Sequence, residues 1–166
     1  MPAQRLAARQ AAQALALVLP QGPSVRTSLL QRCEHLAVCL CSLRPDLTCK
    51  SDVRLKVMEL CVWEGLPWAQ MPRAALDAWL DDLGDHRFGG AESANEVLAW
   101  AAAAWVDAQQ TNQRTGLEAV WIAHAGVIRA VSLVARGVQC IASAISWPLQ
   151  APAYGQWRLL QQACSP

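Results

Sequence analysis

Apolar positions along the chain alternate between a helical and an extended spacing, and the switches mark out its elements. Ala3, Leu6, Ala7, Ala11, Ala14, Leu15 and Val18 share one helical face, with Gln4, Arg5, Arg9, Gln10 and Gln13 off it, which predicts an amphipathic helix over residues 3–18. Pro20-Gln21-Gly22-Pro23 ends it as a loop. Val25-Arg26-Thr27 reads as a short strand and Ser28 as the cap of a helix through about residue 43, stopped by Arg44-Pro45-Asp46. Residues 53–62 are mixed and partly extended, and residues 63–68 form a loop. Pro72 opens a helix to about residue 83, followed by a polar loop over 84–90. Glu92 or Ser93 starts a long Ala- and Trp-rich helix to about Gln110, and residues 111–116 form a turn. Ala119-Val120-Trp121-Ile122-Ala123 is the clearest buried strand. It runs into His124-Ala125-Gly126 and a helix to about Arg136. Residues 141–147 read as helical and 156–160 as a final strand. Strands alternating with helices predict an α/β layered fold around a largely parallel sheet, as a single domain over residues 1–166.

Composition narrows the classes of function. The 166 residues are 54% hydrophobic and 16% charged, which excludes a disordered chain. A net charge of +1 without a basic stripe argues against nucleic acid as a partner, because phosphate neutralisation needs clustered Lys and Arg. Arg5 and Arg9 before an apolar stretch are compatible with a short signal peptide, but the two-faced pattern favours a helix. No stretch of about 20 residues is free of both charge and helix breakers, so no membrane partner is expected. Seven Cys, an odd number without framework spacing, point to reduced thiols in a cytoplasm, and the 30 Ala to helix and a GC-rich bacterial source. Eight Trp stand beside one Tyr and one Phe.

The strand-to-helix turn at His124 carries the best chemistry. A histidine at the carboxyl end of a buried strand, just before a helix, sits where α/β sheets place their ligands. The free N–H groups and dipole of that helix start favour an anion such as a phosphoryl group. His124 as a mere helix cap, or bonded to a neighbouring carbonyl, is the alternative. Arg32, one turn inside the helix after Thr27-Ser28, could reach back to an anion with a bidentate fork, or simply lie on the surface. Cys33, His35, Cys39, Cys41 and Cys49 lack a C-x-x-C pair and suit small apolar residues better than a metal site. Asp81, Asp82, Asp85 and His86 suit solvated charges between helices. No G-x-S-x-G, P-loop or dinucleotide fingerprint occurs.

In order along the chain, TSLLQRCEHLA, DVRLKVMELCVWEGLPW, FGGAESANEVLAW and VWIAHAGVIRAV resemble the histidine phosphatases, the phosphoglycerate mutase-like superfamily. The tone is closest to α-ribazole phosphatase-like proteins. The resemblance extends from about residue 4 onward and implies a three-layer α/β/α sandwich. It also implies phosphomonoester hydrolysis through a phosphohistidine, with no metal and no cofactor, on a phosphomonoester or other phosphorylated small molecule. In that family an Arg-His-Gly histidine takes the phosphoryl group, two Arg and a second His surround its oxygens, and a Glu is acid and base. The resemblance places Arg32 as the second Arg, His124 as the second His, and Ala125 at the helix start beside it.

The departures from the family pattern are as informative. No Arg-His-Gly occurs, and neither His35 nor His86 is preceded by Arg or followed by Gly. The chain starts at what resembles the family's first helix, which implies a domain incomplete at its N-terminus and lacking the first, interior strand. Either the natural start lies upstream, or the gene is a truncated and diverged copy. The acid/base position after Arg54-Leu55-Lys56 holds Val57, with Glu59 two residues on. Cys61 stands for the usual Gly before the WEG box and Trp100 for a common Arg. The resemblance therefore implies a family member that, as written, is without meaningful phosphomonoesterase activity, and three readings stand: a phosphatase completed by an upstream extension or using a replacement mechanism, a non-catalytic phosphate-binding module, or a vestigial product.

Overall fold

The computed structural model describes residues 2–161. The chain runs α1 (Pro2–Val18), β1 (Ser24–Thr27), α2 (Gln31–Leu43), β2 (Thr48–Ser51), α3 (Arg73–Asp81), α4 (Ala94–Thr115), β3 (Ala119–Ile122) and α5 (Ala125–Val134). The strands form a parallel sheet in the order β2-β1-β3, with Ser24 opposite both Thr48 and Ala119 and Thr27 opposite both Ser51 and Ile122. Because side chains alternate across a strand, β3 serves two cores. Val120 and Ile122 join Leu15 of α1, Val25 of β1 and Cys33, Ala37 and Leu40 of α2. Trp121 and Ala123 face the other way, onto Ala104 of α4 and Val127 of α5. Helices thus cover both faces, giving the three-layer α/β/α arrangement. A further cluster locks α4 to α5 through Leu98, Ala101, Ala130, Val131 and Leu133.

The long helix is held at both ends. Ser93 accepts from the Glu96 N–H while the Glu96 carboxylate accepts from Ser93 N–H, a capping box. Gly116, at φ +69°, ends α4 five residues beyond the expected stop. The polar run after Gln110 looked like a turn, but the Thr111 and Thr115 hydroxyls bond back to the carbonyls of Asp107 and Thr111 within the helix.

Other expectations are corrected. The buried stripe of α1 is Ala8, Ala11, Ala12 and Leu15; Leu6 and Val18 are exposed, because α1 rests on α2 along a narrow seam of small residues. Ser28 does not cap α2, which begins at Gln31 behind an extended Leu30. The segment Thr48–Ser51 is a strand without an alternating apolar signal, held by pairing to β1. β3 is only partly buried: Ala119 is exposed and Val120 and Trp121 are half-buried, because β3 is an edge of the sheet. Residues 156–160 form no strand, since no other strand among the described residues pairs with them. Residues 141–147 contain only the short turn Ala144–Ser146. Cys41 and Cys49, expected as reduced thiols, are joined in a disulfide between α2 and β2, while Cys33, Cys39, Cys61 and Cys140 are free. Trp100, read as a misplaced Arg position, packs on the α4–α5 core with the Lys56 ammonium 5.0 Å above its ring.

Candidate functional site

β1 and β3 end side by side, and the ladder runs on one step as Ser28 N–H donates to the Ile122 carbonyl at 2.9 Å. That step brings Ser28, completely buried, against His124, which is 7% exposed. His124 is the residue before α5: its backbone is extended, its carbonyl accepts from Ile128 N–H, and its side chain makes no cap bond. Both ring nitrogens are engaged elsewhere. Arg32, the second residue of α2, donates to Nδ1 from Nε at 3.1 Å and from Nη2 at 2.8 Å. On the other side Nε2 lies 2.9 Å from Ser28 Oγ and 3.6 Å from Cys33 Sγ.

The electrostatics fix the tautomer. Burial, reinforced by the positive charge of Arg32, pushes the His124 pKa down to about 4. The ring is therefore neutral near pH 7. With Nδ1 accepting from arginine, the proton sits on Nε2 and is donated to Ser28 Oγ. In this arrangement His124 cannot take a proton from Ser28, so the pair is not an activated serine. Burial also pushes the Cys33 thiol up, which keeps it protonated.

The sign of the pH dependence follows. An unfolded histidine titrates near 6.5 and His124 near 4, so between those values the unfolded chain binds the extra proton. Stability is expected to rise with pH across that window and to be flat for this group above it. Allowing for solvent reaching the Arg32 side, the gain is about 2 kcal/mol. Urea unfolding at pH about 4.5 and about 7 checks it; a His124→Asn variant that keeps the full wild-type difference would overturn the assignment. The loss on further acidification is a separate event. Asp52 is held down to about 2, chiefly by the Arg54 guanidinium, and contributes stability that disappears as pH falls from its ordinary value near 3.8 through that range.

Around this cluster lies a groove of about 740 Å³. Its lining includes Arg32, Cys33, Val57 and His124, the rings of Trp105 and Trp121, and residues 152–161. Arg32, His124, Ala125 and Val57, the four positions named from sequence, thus share one cavity. Val57 brings an apolar side chain to it. Glu59 is exposed and does not line it; its backbone N–H donates to Glu92 at 2.7 Å. The only acid among the described lining residues is Glu118, at the start of β3.

Sequence reasoning missed Ser28 and Cys33 as partners of His124. Their signal lay in the strand-end position of Ser28 and the adjacency of Cys33 to Arg32. It also missed the ionic group that fastens the 52–57 segment. Asp52 accepts from Arg26 at 3.0 Å and from Arg54 Nη2 at 2.7 Å, and Arg54 reaches Asp107 of α4 at 2.7 Å.

Known proteins share this architecture. A mycobacterial glucosyl-3-phosphoglycerate phosphatase is 28% identical, with a TM-score of 0.67 over 81% of this chain and 66% of its own. Its complex with inorganic phosphate gives 27%, 0.68, 81% and 67% in the same order. An Escherichia coli candidate α-ribazole-5′-P phosphatase, 21% identical with a TM-score of 0.63 over 78% of this chain and 65% of its own, shares the fold. The chain spans about two thirds of the length of these structures. No curated protein matches it. The histidine phosphatase superfamily (branch 1) is matched over residues 3–146, and the chain belongs to that superfamily.

Proposed function

We infer that this chain is a histidine phosphatase domain that holds a phosphorylated small molecule without turning it over. The supporting observation is the Arg32–His124 pair, set at the end of β3 in a cavity whose acid/base position is Val57. Two of the guanidinium's donors are spent on His124, and its remaining N–H groups serve an oxyanion. Ala125, exposed at the first position of α5, adds a backbone N–H and the helix dipole. His124, neutral and bonded on both sides, holds the arginine rather than delivering a proton. The mycobacterial relative with inorganic phosphate supports the choice of ligand class. The domain is read as a single unit over 1–166, with no metal and no cofactor in its chemistry. No helix among the described residues is long and apolar enough to cross a membrane. A cytoplasmic setting rests on the free thiols of Cys33, Cys39, Cys61 and Cys140 among the described residues, and the Cys41–Cys49 bond is the feature that weighs against it.

Calorimetric titration with inorganic phosphate and simple phosphomonoesters tests the reading. Binding is expected, weakened at least tenfold by Arg32→Ala and by His124→Gln. A folded chain that binds neither ligand would be a vestigial product.

A further inference from the structure

The Cys41–Cys49 bond joins the last turn of α2 to β2, across a sequence separation of 8. Both cysteines are half-buried and pack on the core shared by α1, β1 and α2. Of the four residues of β2, Cys49 alone is half-buried; Thr48, Lys50 and Ser51 are exposed, and the strand pairs with β1. The bond is thus the side-chain tie between β2 and α2. The turn between the two cysteines, by contrast, is fastened without it. Arg44 donates to the carbonyls of Ala16, Leu19 and Pro20 and to both carboxylate oxygens of Asp46, which accepts in turn from Gly22 N–H. A bond that closes so short a loop, already closed by Arg44, removes little further chain entropy, so the fold does not depend on it. Free thiols at Cys33, Cys39, Cys61 and Cys140 accompany it. In a chain that keeps its other thiols reduced, a disulfide is characteristically transient or redox-sensing.

β2 leads directly into the support of the site. Asp52, the next residue, donates its N–H to the Thr27 carbonyl at 2.9 Å, and its carboxylate accepts from Arg26 and Arg54. Thr27 precedes Ser28, whose hydroxyl meets His124, and His124 accepts from Arg32. We propose that Cys41 and Cys49 form a reversible thiol switch. The oxidised pair holds β2 against α2; reduction loosens β2 and Asp52, and with them the Ser28–His124–Arg32 chain. The co-reactant is a dithiol. One of its thiolates attacks a sulfur of the bond and displaces the other cysteine as a thiolate, and its second thiol then resolves the mixed disulfide. Two electrons and two protons pass to the protein, leaving two cysteine thiols and the reductant's own disulfide. The phosphate-holding reading enters only in one consequence: the reduced chain holds phosphate more weakly.

The test compares the full chain before and after dithiothreitol, with thiols counted by iodoacetamide labelling and mass. Reduction is expected to expose the thiols of Cys41 and Cys49 to the label, and glutathione disulfide to hide them again. Amide exchange at Asp52 and along Thr48–Ser51 should quicken at least tenfold, while Leu98 and Ala101 of α4 keep their protection. The ring resonances of His124 should shift, and inorganic phosphate should bind the reduced chain at least threefold more weakly. A Cys41→Ser/Cys49→Ser double variant should give the reduced signature with or without dithiothreitol, whereas Cys39→Ser should keep the wild-type response. The proposal is overturned if exchange and the His124 signals are the same in both states, or if Cys41 and Cys49 are labelled before reduction. A bond that survives excess dithiothreitol in the native chain, or a reduction that unfolds the whole chain, also overturns it. So does phosphate held equally by the two states. If neither state binds phosphate while β2 and His124 respond, the phosphate-holding reading fails and the switch stands.

Discussion

Hydrolysis of an aryl phosphate by the purified chain is expected to stay at the rate of the buffer alone. The reaction implied by the family needs a histidine free to accept a phosphoryl group and a carboxyl group to protonate the leaving alcohol. The three histidines are accounted for. His35 lies in α2 and His86 in the loop before α4, and neither lines the groove that holds Arg32. His124 does line it, but Nδ1 is bonded to Arg32 and Nε2 to Ser28. The position that the family resemblance gives to the carboxyl is Val57, which lines the cavity, while Glu59 is exposed and does not; among the described lining residues the one acid is Glu118, at the start of β3. Removing a nucleophile from comparable hydrolases costs about 10⁶ in rate, enough by itself to bury turnover in the blank. Val57→Glu is therefore expected to leave the rate unchanged, because an acid without a nucleophile has no leaving group to protonate. A steady release of product above the blank, lost in Arg32→Ala, would show that the chain has another route.

The parts of this fold that were legible in the sequence were those in which local pattern and tertiary environment agree. The α4 start was readable because Ser93 and Glu96 form a capping box whatever else surrounds them, and the β3–α5 turn because an apolar run meets His124 and Gly126. The strand Thr48–Ser51 was not, since only pairing to β1 makes Thr-Cys-Lys-Ser extended. Residues 156–160 show the converse: an extended-looking pattern is not a strand until another strand pairs with it. For the site, Arg32 and His124 were legible through motif resemblance, but their bond spans 92 positions and no periodicity announces it. The motifs that made the resemblance specific turn out to build scaffold. Trp63 and Trp68 of the WEG box stack against Phe88, at 5.8 and 6.2 Å between centroids, and Trp79 lies 4.7 Å from the same ring. Glu92 of the FGGAES motif accepts from Lys56 and from the Glu59 backbone, each at 2.7 Å, tying it to the segment that carries Val57.

That tie makes Gly89→Ala the substitution with the largest expected cost to stability. Gly89 is the first glycine of the same motif and holds φ at +81°, where an L side chain already costs about 1–2 kcal/mol. An added Cβ would overlap the Leu60 carbonyl oxygen, sit 2.8 Å from its carbon and press to 2.9 Å on Trp63 Cδ1. Leu60 cannot yield cheaply. Its carbonyl accepts from Trp63 N–H and its N–H donates to Glu64, so moving it disturbs the whole WEG turn. Relieving such a backbone overlap adds roughly 1–3 kcal/mol, for a total of about 2–5 kcal/mol. Gly116 supplies the control, because it has φ +69° and nothing within 4 Å of a built Cβ. Gly116→Ala meets only the conformational penalty, about 1 kcal/mol. Urea unfolding of the two variants separates the terms, with the Gly89 variant also expected to change tryptophan emission as Trp63 leaves Phe88. Equal losses in the two variants would show that the Leu60 carbonyl does not confine Gly89, and that the motif glycine is there for its dihedral angle alone.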